Sequence, residues 1–264
     1  MHRLMPLRHH LWALLGLGAL TLLFTYPLVA HLNTHVIGPL RSDNFEYVWK
    51  MWWVPHALFE AQISPFFAPH IYVPFGYPLA YGELTPTHTF LMLPVTLLLG
   101  EVAAYNLAIL GSTLVTGWAA YALARRWLER LTPNADSRLL WISALFAGAA
   151  FAFSAFRMTR FEGQMPLLDT QWVVLALLLL DRWLESSHLR DAALLGLCLA
   201  LAALSSWYFA FMLALMLPIY VLVHRGRALL ALVGERRTWL ALLTVAAIVV
   251  GLCAPFLLPY LELS

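Results

Sequence analysis

Between Leu11 and Tyr260 the sequence returns again and again to apolar runs about as long as a bilayer's hydrocarbon core is thick. A helix rising ~1.5 Å per residue needs roughly 17–25 residues to cross that core. In hydrocarbon each backbone N–H and C=O must be satisfied within the segment, which leaves the α-helix as the solution for runs of this length. Such runs lie at residues 11–30, 103–124, 139–156, 167–183 and 239–260. The stretch 192–223 is too long for one crossing. Charge flanks it on both sides, "DRWLESSHLRD" before and "HRGRALLALVGERR" after, so it is expected to fold into two spans turning near "SSWY", residues 205–208. Composition agrees, with 62% hydrophobic and 11% charged residues against roughly 25% charged in an average soluble domain. The expected fold class is all-α, a polytopic membrane helix bundle of about seven transmembrane helices with a large first external loop that carries juxtamembrane helices.

Charge sets the expected topology. The first run follows the basic start "MHRLMPLRHH", is longer than a signal-peptide core and lacks a small-x-small cleavage site, so it reads as an uncleaved span with its start in the cytoplasm. The segment "PTHTFLMLPVTLLLG", residues 86–100, is short and holds Pro86 and Pro94. Counting it as a crossing would put the arginines of "RRWLERLTPNADSR" outside, so it is laid along the outer surface. Arg125, Arg126, Arg130, Arg138, Arg182, Arg190, Arg225, Arg227, Arg236 and Arg237 then lie inside, and Trp12, Trp127, Trp141, Trp183 and Trp239 fall at the inner interface, where tryptophan is favoured. The chain is read as one transmembrane module, residues 1–264, in the plasma membrane, with a first external loop at 31–102 and a second at 157–166. It closes on "FLLPYLELS" as the last crossing emerges, and a C-terminal part of a longer protein is expected to follow.

These readings exclude several classes. With a net charge of +2 and its basic residues used as topology signals, the chain is not expected to bind nucleic acid. Cys198 and Cys253 both sit in apolar runs, which supports neither a disulfide framework nor a thiolate metal site. No acid is placed deep in a span, which argues against a proton-coupled pump.

Polar residues concentrate in the loops. In "RSDNFEYVWKMWWVPHALFE", residues 41–60, a helical projection puts Asp43, Glu46, Tyr47 and Lys50 on one face and Phe45, Val48, Trp49, Trp52 and His56 on the other. Ser42 is the expected N-cap, with Asp43 in the first turn. Such a helix either anchors the chain at the interface or holds its acids there for chemistry. In "FRMTRFEGQMPLLD", residues 156–169, Arg157, Arg160 and Glu162 sit at the outer boundary, where arginine is not favoured by topology alone. A guanidinium there either binds a specific phosphate bidentately or snorkels to lipid phosphates. His31 and His35 have the i, i+4 spacing of a helical metal pair but no evident third ligand. His70 and His88 are loop residues placed to contact a sugar or a phosphate. Asn106, Thr113 and Thr116 read as packing or back-bonding residues, and Asp169 as a residue of the outer mouth.

A first span followed by a large loop opening on an acid, here "SDNFEY", with juxtamembrane helices in that loop, resembles the GT-C superfamily of polyprenyl-phosphate-dependent glycosyltransferases. The nearer likeness is to bacterial membrane proteins related to the protein mannosyltransferases and aminoarabinose transferases, whose loop carries a later acid before a Pro-containing helix, here "GELTPTHTFLMLP" with Glu83. "AYALARRW", followed by a span ending in "FAFSAFRMTRFEGQ", is similar to the same group, and the likeness runs over the whole chain as architecture and loose pattern. The resemblance implies hexosyl or pentosyl transfer from a polyprenyl-phosphate-linked sugar donor to an extracytoplasmic acceptor, in contact with membrane lipids. It casts Asp43 as general base with Glu46 beside it, Arg157 and Arg160 as donor phosphate ligands, and Glu83, His88 and Glu162 in support. Some members use a divalent cation, magnesium or manganese, for which Asp43 and Glu162 are the ligands implied. The chain departs from the family pattern where the paired acid is spread over Asp43 and Glu46, where Glu162 stands for a more usual Asp, and where Thr85 replaces a lysine or arginine beside the proline. A lipid-carrier transporter or flippase and a non-catalytic subunit of envelope polysaccharide assembly remain open as alternatives.

Overall fold

A computed structural model describes residues 7–40, 42–82, 84–226 and 233–261. Glu83 and Arg227 lie outside them. The described chain is all-α apart from one short antiparallel pairing, β1 (Phe67–Ala68) with β2 (Tyr77–Pro78). The seven expected long helices form as α1 (Leu7–Phe24), α5 (Glu101–Leu131), α6 (Ser137–Ala152), α8 (Thr170–Ser186), α9 (Leu189–Ser205), α10 (Trp207–Arg225) and α11 (Arg236–Leu261). Between them lie the shorter α2 (Asn44–Pro55), α3 (Pro86–Leu91), α4 (Leu93–Leu99) and α7 (Ala155–Arg160). Five helical segments are long and apolar enough to cross a membrane, with α6 and α7 counted together, while α8 and α9 reach 17 residues each. The turn expected at 205–208 falls at Ser206, whose extended backbone separates α9 from α10. Side chains such as Phe211 and Leu243 stand 69% and 65% exposed, a surface suited to hydrocarbon rather than water.

The chain divides into two compact units, Met1–Trp49 with Pro94–Val174 and Lys50–Leu93 with Leu175–Ser264. In the first, α5 packs along α6, and α1 touches both. The approach is close because a side chain on Gly148 would meet the Gly117 carbonyl at 2.5 Å, the small-residue packing that apolar bundles use in place of a hydrophobic driving force. Asp136 caps α6 by accepting the Arg138 N–H at 2.6 Å. Arg125 ties the end of α5 to the start of α6 through the Ser137 carbonyl at 2.9 Å and pairs with Glu129 at 2.7 Å. In the second unit α9 is central, in contact with α11, α10 and α3. Gly196 admits the Val245 backbone, which a Cβ would meet at 3.1 Å.

Two expectations need correction. Segment 86–100 does not lie as one surface helix. It breaks at Met92, and Thr87, His88 and Thr89 of α3 are buried, with the Thr87 hydroxyl donating to the Leu201 carbonyl of α9 at 2.8 Å. Polar side chains on an otherwise apolar segment are held where a carbonyl can satisfy them, not spread along an interface. Helix α2 also departs from its expected wet face at two positions, although Asp43 stays exposed. Tyr47 and Lys50 are 8% and 2% exposed, whereas Phe45 and Trp52 are 49% and 38% exposed. Where the surroundings are hydrocarbon, the aromatic face is the outward one and the amphipathic side chains fold inward. Glu46 remains exposed as expected.

Candidate functional site

The first unit brings together the two loops that carry most of the candidate residues. Its first loop is fastened to α5 by Asn106, whose amide donates to the carbonyls of Leu32 at 2.8 Å and His35 at 2.7 Å and accepts from the Ile37 N–H at 3.3 Å. Asn106, read from sequence as a packing residue, is therefore the clasp that sets where the loop leaves the helix. Thr113 back-bonds to the Ile109 carbonyl at 2.9 Å, as expected. Ser42 does not cap α2. Its hydroxyl donates to the Pro39 carbonyl at 2.9 Å, and Asp43 takes the position before the helix, its carbonyl accepting from Tyr47 N–H at 3.2 Å. The Asp43 carboxylate is left on the exposed surface.

The loop then lies against residues 161–163. Gly38 and Gly163 both have positive φ, at 113° and 135°, and each sits where a Cβ would collide. At Gly38 the obstacles are the Asn44 amide at 2.0 Å and the Phe161 carbonyl at 2.7 Å. At Gly163 they are Asn44 Oδ1 at 2.9 Å, the Asp43 nitrogen at 3.0 Å and Ser42 Cβ at 3.0 Å. Two glycines thus let Asp43 come alongside a loop more than a hundred positions later, next to Glu162. Asn44, wedged between them, is fully buried, and neither atom of its amide makes a hydrogen bond among the described residues. Sequence reasoning passed over Gly38, Asn44 and Gly163. The available signal was the glycine in "IGPL", beside a proline, and the glycine in "FEGQ".

The two arginines of the second loop have opposite fates. Arg157 is 1% exposed and enclosed by acceptors of its own unit. Its Nε donates to the Ala152 carbonyl at 3.0 Å, Nη1 to the Leu168 carbonyl and to Thr170 Oγ1 at 2.6 Å, and Nη2 to Thr113 Oγ1 at 3.1 Å and Ser112 Oγ at 3.4 Å. All five N–H donors of a guanidinium are accounted for, so the expectation of Arg157 as a phosphate ligand is replaced by that of an internal brace joining α5, α7 and the start of α8. Arg160, three positions on, lies half-buried at the edge of the loop. It donates to Gln164 Oε1, and its guanidinium carbon lies 5.0 Å from the Phe156 ring centroid, while its Nε has no hydrogen-bond partner among the described residues. Arg160 therefore keeps donor capacity, and Glu162 and Gln164 beside it are exposed.

Asp169 is 2% exposed and accepts from Gln171 Nε2 at 2.9 Å and Trp172 Nε1 at 3.2 Å, which makes it a fastening of the α8 start. His31 and His35 lie 4.5 Å apart between ring centroids at a 48° tilt, and His35 Nδ1 lies 2.9 Å from the Thr34 hydroxyl. Among the described residues no group of three or more His, Cys, Asp or Glu is placed to hold a metal ion. Asp43 and Glu162 alone do not make the donor set a divalent cation takes from protein, so no step is routed through one.

In the second unit, His88 is buried in α3 at 5% exposure, and His70 lies edge-on to Trp53 at 6.2 Å. Trp53 itself is fully buried, its indole donating to the Pro65 carbonyl at 2.9 Å. Compared with known proteins, the chain matches no family model, no curated protein and no solved structure.

Proposed function

We propose that the chain is the transmembrane module of a membrane glycosyltransferase that moves a sugar from a polyprenyl-phosphate-linked donor to an extracytoplasmic acceptor. The observation that supports this reading is the seating of the Asp43 backbone against Gly163, which brings a residue with an exposed side chain alongside the loop of Arg160 and Glu162. In the proposed reaction the Asp43 carboxylate takes the proton of an acceptor hydroxyl. The oxygen attacks the anomeric carbon, the bond from that carbon to the phosphate oxygen breaks, and the polyprenyl phosphate departs with the electron pair. Arg160 offsets the charge that grows on the leaving phosphate, the interaction that counts most when it is stronger in the transition state than before it. Glu46, one helical turn along α2, and Glu162, in the loop on which the Asp43 backbone rests, are both exposed, and the acceptor approaches from that exposed side.

The test is transfer by membranes or purified protein from a panel of polyprenyl-phosphate-linked hexoses and pentoses. Asp43→Asn is expected to lower transfer by roughly 10²–10⁴-fold while leaving thermal stability unchanged, because the carboxylate is exposed and the position it occupies is as well filled by Asn. Transfer at the parent rate by Asp43→Asn overturns the proposal.

A further inference from the structure

The second unit contains a cleft that the proposed reaction does not use. It is partly enclosed and partly open at the mouth, a concave apolar site with a few polar groups. Its walls are apolar: Phe66, Leu204, Trp207, Phe256 and Leu257 are the large contributors, with Leu84, Pro86, Ala203 and Cys253 between them. Phe256 is held edge-on by Phe66 at 6.1 Å and Phe90 at 5.3 Å, and Phe66 is fixed by the hairpin through its carbonyl, which accepts from Leu79 N–H at 2.6 Å. Three hydroxyl residues, Thr85, Ser205 and Ser206, interrupt this wall, and no charged side chain is among the described residues that line it.

Two of those hydroxyls are unusual. Thr85 is 1% and Ser206 3% exposed, and neither Oγ makes a hydrogen bond among the described residues. A buried hydroxyl left unpaired costs about 1–3 kcal/mol, so two in one cleft call for a reason. Neither is a by-product of capping. Ser206 stands at the N-cap of the 19-residue helix α10, yet its side chain makes no capping hydrogen bond among the described residues. Thr85 holds a left-handed backbone, φ 50° and ψ 60°, although it is β-branched and precedes a proline. That conformation is disfavoured on both counts and is retained where surrounding structure over-determines it.

We infer that this cleft binds an uncharged single-chain amphiphile, its hydroxyl or ester carbonyl at Thr85 and Ser206 and its hydrocarbon chain against Phe66, Trp207, Phe256 and Leu257. A hydroxyl head donates to one Oγ and accepts from the other, since each side chain does either. An anionic head is disfavoured, because burying it beside two neutral hydroxyls with no cation in the wall leaves the charge uncompensated. A plain hydrocarbon fills the walls but leaves both hydroxyls unpaired. The inference is independent of the glycosyl-transfer reading and stands or falls by itself.

The experiment is photolabelling of the full chain in detergent micelles with a hexadecanol carrying a diazirine at mid-chain, mapped by mass spectrometry. Adducts are expected on residues 203–207 and 253–257. Unlabelled hexadecanol should compete about tenfold more strongly than hexadecane or hexadecyl phosphate, the two hydroxyl contacts supplying the difference. Ser206→Ala and Thr85→Val should each weaken labelling by about fivefold, the order expected for one lost hydrogen bond, and Thr85→Ser should restore it. Adducts spread evenly over the exposed faces of α10 and α11, or competition by hexadecane equal to that by the alcohol, overturn the inference. Preferential competition by hexadecyl phosphate overturns the neutral head, and unchanged labelling of the folded Ser206→Ala variant overturns the hydroxyl contact. Failure of Asp43→Asn to affect transfer bears on none of these results.

Discussion

Arg157 in the first unit and the Thr85–Ser206 cleft in the second are both buried polar sites in apolar surroundings, and their hydrogen bonding is opposite. Around Arg157 every donor meets a carbonyl or hydroxyl of the protein, so the group is locked and has nothing left to offer a ligand. In the cleft two hydroxyls are equally buried and meet no hydrogen-bond partner among the described residues. A polar group satisfied inside a protein contributes to its structure, and one held unsatisfied at a cost points toward function. Position in the sequence does not separate the two. From sequence Arg157 was expected to bind a phosphate, Thr85 stood out only as a departure from a basic residue, and Ser206 only as part of a turn.

That contrast breaks most severely at Arg157. Arg157→Met should destabilise the protein by about 3–5 kcal/mol, because it strips a cation from acceptors that remain buried, and thermal unfolding in detergent would read the loss. Arg157→Lys should recover only part of it, since one ammonium cannot reach acceptors arranged for a planar fork. A stable Arg157→Met protein that had merely lost affinity for phosphate would reverse the assignment. Gly163→Ala comes next, with an expected loss of roughly 1–3 kcal/mol from the positive φ and the crowding against Asn44 and Asp43. Faster hydrogen exchange or proteolysis at residues 42–44 should accompany it, since that is the segment Gly163 admits. The cleft should respond with the other sign. Thr85→Gly is expected to raise stability by up to about 1 kcal/mol as the left-handed strain is released, while labelling by the alcohol falls. Ser206→Ala is likewise expected to raise stability, by about 1 kcal/mol, because it removes a buried hydroxyl that bonds nothing among the described residues. A loss there would mean that the hydroxyl has a structural partner and would erase the distinction from Arg157.

The helices were legible because their cause is local. A run of some twenty apolar residues has one economical backbone conformation in hydrocarbon, and the charged flanks of 192–223 marked a turn that the chain makes at Ser206. Orientation of side chains was less legible. The helical projection grouped Tyr47 with Lys50 correctly as neighbours, yet which face of α2 turns inward depends on the medium outside it and on the elements it packs against. The candidate site was legible in its residue types and not in its geometry. Asp43 beside the second loop follows from two glycines whose conformations are fixed by tertiary contact, and Arg157 and Arg160 are told apart by acceptors that come from α5 and the start of α8.

By itself the sequence determined the secondary structure and the class of the protein, since backbone satisfaction in an apolar medium is decided within each segment and needs no distant partner. Only the tertiary structure decided which polar groups are spent and which are spared. Satisfaction of a buried donor depends on what comes within about 3 Å of it, and those neighbours arrive from parts of the chain that no local pattern connects.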